Sequence, residues 1–121
     1  MNDKRRDIQE RCFAFAVQVV RLCRDLDKQP GTSRTLAGQL LRAGTSVGAN
    51  VEEAQAAQST ADFINKLNIA LKEARETHYW LRLLIASNVL PAERVVALRD
   101  EADELKRIIA AIIVSTKKGQ S

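Results

Sequence analysis

The sequence contains few prolines and glycines, which form turns, and few aromatic residues, which are common in β-strands. Its 121 residues include two prolines and five glycines, and aromatic residues make up 4% of the chain. β-Branched residues never form the alternating run that marks a half-buried strand. Because a sheet protein needs frequent turns and strands rich in aromatic or β-branched residues, we expect an all-α protein.

Long apolar runs, close cysteine pairs and histidines are scarce as well. The longest apolar run, residues 108–114, is far shorter than the roughly 18 residues that span a bilayer. Cys12 and Cys23 fall on one predicted helix about 16 Å apart, which excludes a disulfide within the chain, and we interpret both as small buried apolar residues. The single histidine, His78, lacks the neighbouring ligands of a metal site. We therefore predict no metal and no cofactor.

The remaining composition is that of a folded domain, with 45% hydrophobic and 28% charged residues. We expect one domain over residues 1–121, since this length suits a single core. The first six residues lead into an amphipathic segment and not into the apolar core of a signal peptide, so we expect a cytoplasmic protein.

Four segments carry apolar residues at alternating steps of three and four, the spacing of a packed helix. Gln29-Pro30-Gly31 ends the first segment, and Thr32 or Ser33 can cap the second. Ser59 opens the third segment in a sequence that resembles a capping box, and Pro91 suits the first position of the fourth. The predicted helices span about residues 4–28, 33–57, 61–87 and 91–115. Short loops make successive helices antiparallel neighbours, which predicts an up-down-up-down four-helix bundle.

Two of these helices have more apolar residues than one packed face requires. The second stripe of helix two consists of Ala37, Leu41, Gly44, Gly48 and Val51. On helix three, Ile69, Trp80 and Leu83 lie away from the main apolar face. Either the intramolecular core is wider than usual, or the protein self-associates. We favour self-association, with these three helix-three residues at the interface. Trp80 is its anchor, unless it is an ordinary core residue at the bundle edge.

A group of polar residues follows another face of helix two. Arg42, Ser46, Asn50 and Glu53 lie within about 80° of one another on a helical wheel. Helix three offers Glu73 and Glu76 near Trp80. These residues either line a ligand pocket or form a partly buried network in which Arg42 pairs with a glutamate. We favour the network, which fixes helix register or a subunit contact.

The second and third predicted helices carry a motif that identifies a family. Residues 39–53 read QLLRAGTSVGANVEE, followed by Phe63, Leu67, Ile69-Ala70 and Glu76. From residue 15 to residue 113 the chain resembles the bacterial four helix bundle proteins, also called 23S rRNA intervening-sequence proteins. The matching polar or small positions are Arg42, Ala43, Ser46, Asn50, Glu53 and Glu76. Ala54 stands where many members have glycine, which predicts that helix two continues slightly further.

The resemblance implies a cytoplasmic four-helix bundle that assembles into a ring, typically a homopentamer. The chain is also similar to the accessory protein of diversity-generating retroelements, a basic pentamer that binds nucleic acid and its reverse transcriptase. For most members the biochemical role is unknown, so the resemblance specifies fold and assembly better than activity.

Three functional hypotheses remain: a nucleic-acid-binding oligomer, a protein-interaction scaffold without nucleic-acid contact, and an enzyme. We do not expect an enzyme, because the sequence pairs no nucleophile with a base and has no glycine-rich phosphate loop. The net charge of +4 is modest and interspersed with acidic residues, so it favours neither binding hypothesis. The sequence has no recognised nucleic-acid-binding module, so we do not expect sequence-specific recognition of bases.

The two ends of the chain suggest where nucleic acid would bind. In an up-down-up-down bundle the start of helix one and the end of helix four lie at the same end. This topology brings together Lys4, Arg5, Arg6, Lys117 and Lys118. A ring would repeat the basic end, which predicts salt-sensitive and sequence-tolerant binding of RNA or DNA. The alternative is that these cations serve solubility and the helix macrodipole.

Overall fold

The computed structural model describes residues 3–119, with side chains from residue 7 onward. Four long helices confirm the predicted all-α fold, and the described residues contain no strand. The elements are α1 (Asp3–Leu26), α2 (Thr32–Gln55), α3 (Thr60–Ala86), a 3₁₀ turn (Ala92–Arg94) and α4 (Val96–Gly119). No helix within residues 3–119 is both long and apolar enough to cross a membrane.

Each helix packs against its two neighbours around a closed square, in the order α1, α2, α3, α4 and back to α1. Two ion pairs mark the antiparallel contact that closes the square between α1 and α4. Arg11 donates two hydrogen bonds to Glu101, at 3.1 and 2.6 Å, and Arg94 donates to Asp25 at 2.6 Å. The chain therefore begins and ends at the same end of an up-down-up-down bundle.

The core lies between the four helices and uses the apolar positions expected from their spacing. The core positions that this spacing predicts in α1 and α3 are all buried: Ile8, Cys12, Phe15, Val19, Leu22 and Leu26 in α1, and Phe63, Leu67, Ala70, Ala74, Thr77, Leu81 and Leu84 in α3. Leu36 of α2 and Leu98 of α4 are half-buried at its edge. Near the end of α4, a step of three residues from Ile109 predicts Ile112 in the core. Ile113 is buried there instead and Ile112 is half-buried, because the buried face steps by four residues from Ile109.

The side-chain cap predicted from the sequence is present at the start of α3 and absent at the start of α2. Ser59 is the N-cap of α3, and its hydroxyl accepts a hydrogen bond from the Asp62 amide at 3.0 Å. At α2 the N-cap is Gly31, with φ of 88° and no side-chain cap, so Thr32 is already helical. Glycine adopts this positive φ at little cost, and the turn needs no hydroxyl cap.

The fourth helix begins later and ends later than the predicted range of 91–115. Pro91 has an extended ψ of 135° and precedes the 3₁₀ turn instead of starting an α-helix. Val95, with φ of −117°, separates that turn from α4, which then continues to Gly119. Pro91 thus lacks the helical ψ of an N1 residue, which moves the start of α4 by five residues.

The second apolar stripe of α2 packs largely inside the subunit. Ala37, Gly44 and Val51 are buried, Gly48 contacts Cys12 of α1, and Leu41 is 39% exposed. The wider intramolecular core, one of the two alternatives, therefore accounts for most of this stripe.

Candidate functional site

The polar residues of α2 and α3 meet across the outer groove between these helices. The Arg42 guanidinium bridges two glutamates: Nη1 lies 3.3 Å from Glu73 Oε2, and Nη2 donates to Glu76 Oε2. The same Glu76 oxygen accepts a hydrogen bond from Trp80 Nε1 at 3.2 Å. One cation of α2 thereby holds two carboxylates one turn apart on α3. The sequence predicted a pair with one glutamate.

The Arg42 network, defined as Arg42, Glu73, Glu76 and Trp80, is shielded unevenly from water. The Glu73 side chain is 11% exposed, that of Glu76 is 29% exposed, and that of Arg42 is 52% exposed. Burying a carboxylate is costly unless a cation accompanies it. Glu73 therefore depends on Arg42 more than Glu76 does, and the network acts as a clamp between α2 and α3.

The other polar residues predicted to join this network bond within their own helix. Ser46 Oγ donates to the Arg42 carbonyl oxygen at 2.6 Å, and Asn50 Nδ2 donates to the Ser46 carbonyl oxygen at 2.8 Å. Glu53 is exposed and forms no ion pair with a described residue. The six residues thus lie on facing sides of two helices, and three of them bridge the groove.

Two grooves of the bundle lie elsewhere. One of about 420 Å³ runs between α1 and α4, and one of about 450 Å³ lies between α1 and α2. Neither is lined by a residue of the Arg42 network. The described side chains also contain no cluster of three His, Cys, Asp or Glu residues placed to hold a metal ion. The geometry at Arg42 thus favours a structural clamp over a ligand pocket.

The residues predicted for an oligomer interface lie along the same groove. Ile69 is 43% exposed, and Trp80 and Leu83 are half-buried. Trp80 packs against the core and also meets Tyr79 edge-on, with ring centroids 5.2 Å apart. We call Ile69, Trp80 and Leu83 the α3 patch. Trp80 therefore has an intramolecular role, and Ile69 is the most exposed apolar residue of the patch.

A second exposed apolar surface joins Leu41, from the predicted second stripe of helix two, to two residues of α1 that the sequence reasoning missed. Phe13 and Val20 of α1 are 65% and 47% exposed, and Leu41 of α2, which is 39% exposed, lines a groove together with Val20. We call these three residues the α1/α2 stripe. Phe13 and Val20 are seven residues apart, a spacing that puts them on one helix face. This signal was present, but Phe13 and Val20 directly follow the predicted core positions Cys12 and Val19.

The basic residues near the two ends of the chain share one end of the bundle. Lys117 and Lys118 are exposed in the last turn of α4. The side chains of Lys4, Arg5 and Arg6 lie outside the described residues, although their backbone forms the start of α1. Counting from the Arg11–Glu101 pair at 1.5 Å per residue, the two groups are offset by roughly 16 Å along the axis. They define a basic strip and not a compact patch.

His78 lies on the opposite side of α3, facing α4. Partial burial lowers the pKa of His78 from its ordinary value of 6.5, and the cations Lys106, Arg82 and Arg99 act in the same direction against Asp103. Asp103 binds Lys106 at 3.0 Å and Arg107 at 2.7 Å. The histidine is thus favoured in its neutral form within a cationic stretch of surface.

The chain is similar in sequence and in fold to known proteins. The family model of the 23S rRNA-intervening sequence protein matches residues 4–111. A crystal structure of a protein of unknown function from the S23 ribosomal protein family of Bacteroides thetaiotaomicron is 42% identical in sequence. The match has a TM-score of 0.82 and covers 91% of this chain and 97% of the Bacteroides chain. No curated protein matches the sequence.

Proposed function

The chain belongs to the 23S rRNA-intervening sequence protein family, and from that premise we propose that it is a non-enzymatic homo-oligomer, a pentameric ring. We further propose that the ring binds RNA or DNA without sequence preference, through phosphate contacts at its basic end. The family resemblance supports the ring.

The observation that carries the nucleic-acid proposal is the pair of lysines at the end of α4. Lys117 and Lys118 are exposed and form no ion pair with a described carboxylate, at the end of the bundle where α1 begins. A ring of five subunits repeats this pair around its axis. Several such groups acting together neutralise enough phosphates for binding, although one subunit contributes little.

The test is binding of fluorescent 30-nucleotide RNA and DNA to nuclease-treated protein, measured by anisotropy between 50 and 300 mM salt. We expect affinity to fall steeply with salt, and the fall to be shallower when Lys4, Arg5, Arg6, Lys117 and Lys118 are changed to glutamine. A matched control changes exposed cations of α3, Lys72, Arg75 and Arg82, to glutamine. Binding that survives the first change identifies a different surface.

A protein-interaction scaffold without nucleic-acid contact is the second candidate. The exposed apolar side chains of Phe13 and Val20, which lie on one face of α1, favour it, because apolar side chains grouped on a surface commonly mark a protein contact. Wild-type protein that retards neither RNA nor DNA at 50 mM salt supports this candidate.

The assembly part of the proposal is tested separately by light scattering. We expect wild-type protein at micromolar concentration to be an oligomer, and Trp80→Ala to weaken it because a desolvated tryptophan contributes strongly at an interface. A wild-type monomer contradicts the assembly proposal.

A further inference from the structure

The α1/α2 stripe is the most exposed apolar surface among the described residues of α1 and α2. Phe13, Val20 and Leu41 are 65%, 47% and 39% exposed. Two grooves follow the same pair of helices: one of about 450 Å³ beside Val20 and Leu41, and one of about 240 Å³ beside Phe13. A protruding phenylalanine flanked by grooves is suited to interlock with a complementary apolar surface.

We propose that the α1/α2 stripe of one copy of this chain docks on the α3 patch of the next copy. The inference rests on the proposed ring, because a ring contact is heterologous and joins two different surfaces of the same chain. The α3 patch supplies one of these surfaces, and the α1/α2 stripe supplies the other.

The directions of the two surfaces suit a small ring. Helix α2 borders both, and adjacent faces of a four-helix bundle meet at roughly 90°. The two contact faces of a subunit meet at about 90° in a ring of four and about 108° in a ring of five. Opposite faces of the bundle would instead produce an open stack.

The two surfaces also lie at the same height, by which we mean the position along the bundle axis. Cys12 lies against Gly48 across α1 and α2, and Arg42 reaches Glu73 and Glu76 across α2 and α3. Counting along α2 at about 1.5 Å per residue, Phe13 of α1 stands at nearly the height of Ile69 of α3. Rotation about an axis parallel to the bundle preserves height, so Phe13 of one copy meets Ile69 of the next.

The charges beside these apolar residues are complementary. Arg24 borders the larger groove and forms no ion pair with a described residue. On the other surface Arg42 neutralises one of Glu73 and Glu76, which leaves the network with one negative charge. By the same count Arg24 stands near the height of Trp80, one turn from Glu76, so the guanidinium approaches this carboxylate when the copies dock.

The area available is sufficient for a specific contact. Two adjacent helices of 24 residues present a face of about 36 by 20 Å, or roughly 700 Å². Stable interfaces bury about 800 Å² on each partner. Docking along the full length of the helices reaches this range.

The experiment uses Phe13→Glu, which disables the stripe, and Ile69→Glu, which disables the patch. Phe13 is 65% exposed and Ile69 is 43% exposed, so neither substitution buries a charge in the core and we expect each variant to keep the fold, which circular dichroism verifies. Val114→Glu is the control, because Val114 is 52% exposed on α4, which borders neither surface. Sedimentation of each protein and of equimolar mixtures gives the species present.

The expected result is an oligomer for wild type and Val114→Glu, and at least a tenfold weaker self-association for each of the other variants alone. Mixing Phe13→Glu with Ile69→Glu restores one intact stripe and one intact patch, so a one-to-one dimer forms. A wild-type oligomer that Phe13→Glu leaves unchanged overturns the inference and spares the proposed ring. Dimers of Ile69→Glu alone also overturn it, since the stripe then pairs with itself. A wild-type monomer rejects the ring and the inference together.

Discussion

Gly44 of α2 lies so close to Val19 of α1 that a Cβ atom on the glycine would stand 2.7 Å from Val19 Cγ1. One turn later, a Cβ on Gly48 would stand 3.2 Å from the Cys12 Cβ. These two glycines set the spacing of the helices that carry the α1/α2 stripe. Gly38, on the same helix, has no neighbour within 4 Å of such a Cβ and therefore provides a control.

Gly44→Ala is expected to lower the free energy of unfolding by about 1–3 kcal/mol. The added methyl group overlaps Val19 and forces a shift in a packed core, which outweighs the gain of about 1 kcal/mol in helix propensity. Gly38→Ala is expected to raise the free energy of unfolding by up to about 1 kcal/mol, because nothing opposes that gain. Urea unfolding measures both values.

A second substitution at Val19 tests the cause. Val19→Ala removes the two methyl groups that the new Cβ would meet, so Gly44→Ala should cost less in that background than in wild type. If Gly44→Ala stabilises the protein as Gly38→Ala does, α1 and α2 are not held at the spacing described here.

The spacing of apolar residues was enough to predict the four helices but not what covers each face. The stripe through Ala37, Gly44 and Val51 was visible in the sequence, yet its cover depends on how closely α1 approaches α2. That distance follows from contacts such as Gly44 with Val19, which are far apart in sequence. The start of α4 was missed for a local reason, because Pro91 is compatible with helical or extended ψ and adopts the extended one.

The polar groove was predictable as a set of residues but not as a set of bonds. A helical wheel placed Arg42 on the face of α2 that meets Glu73 and Glu76. Whether Arg42 reaches one glutamate or both depends on the axial offset of α2 and α3 by a few ångströms. Ser46 and Asn50 shared that face, yet their short side chains bond to carbonyl oxygens one turn back in α2.

Ser59→Ala is expected to lower the free energy of unfolding by about 1 kcal/mol. The substitution removes the hydroxyl that accepts the Asp62 amide hydrogen bond at the start of α3. Thr32→Ala is the matched control at the start of α2, where no side-chain cap exists, and it should change stability by no more than a few tenths of a kcal/mol. Equal losses from both substitutions would contradict the capping assignment.

Acidification from pH 7.5 to pH 5.5 is expected to lower the melting temperature, in part through His78. Its pKa in the folded state lies below the ordinary 6.5 because of burial and the nearby cations Lys106, Arg82 and Arg99. The unfolded chain therefore binds more protons as the pH falls through 6.5, and folding loses stability below that pH. His78→Gln should show a smaller decrease in differential scanning calorimetry.

Two carboxylates that bind cations, Asp25 and Asp103, titrate below this pH window. Hydrogen bonds from Arg94 and Lys106 lower the pKa values of Asp25 and Asp103, respectively, below 3.8. Their contribution to stability is therefore retained at pH 5.5 and lost at lower pH. An unchanged decrease between pH 7.5 and pH 5.5 in His78→Gln would assign the effect to another group.

Arg42→Met is expected to destabilise the subunit by about 1–2 kcal/mol, because it leaves the largely buried Glu73 carboxylate without its cation. The exposure of Arg42 to water keeps this loss below the roughly 3–5 kcal/mol that breaking a fully buried pair costs. Glu73→Gln removes the stranded charge, so the double substitution Arg42→Met with Glu73→Gln should recover part of the loss. Glu53→Gln is the control, since Glu53 shares the groove without an ion pair to a described residue. Urea unfolding of wild type, Arg42→Met, Glu73→Gln and the double variant gives the coupling between Arg42 and Glu73.

If Arg42→Met keeps its stability and oligomer size but loses an RNA or DNA affinity that wild type has, the groove is a binding site and not a clamp.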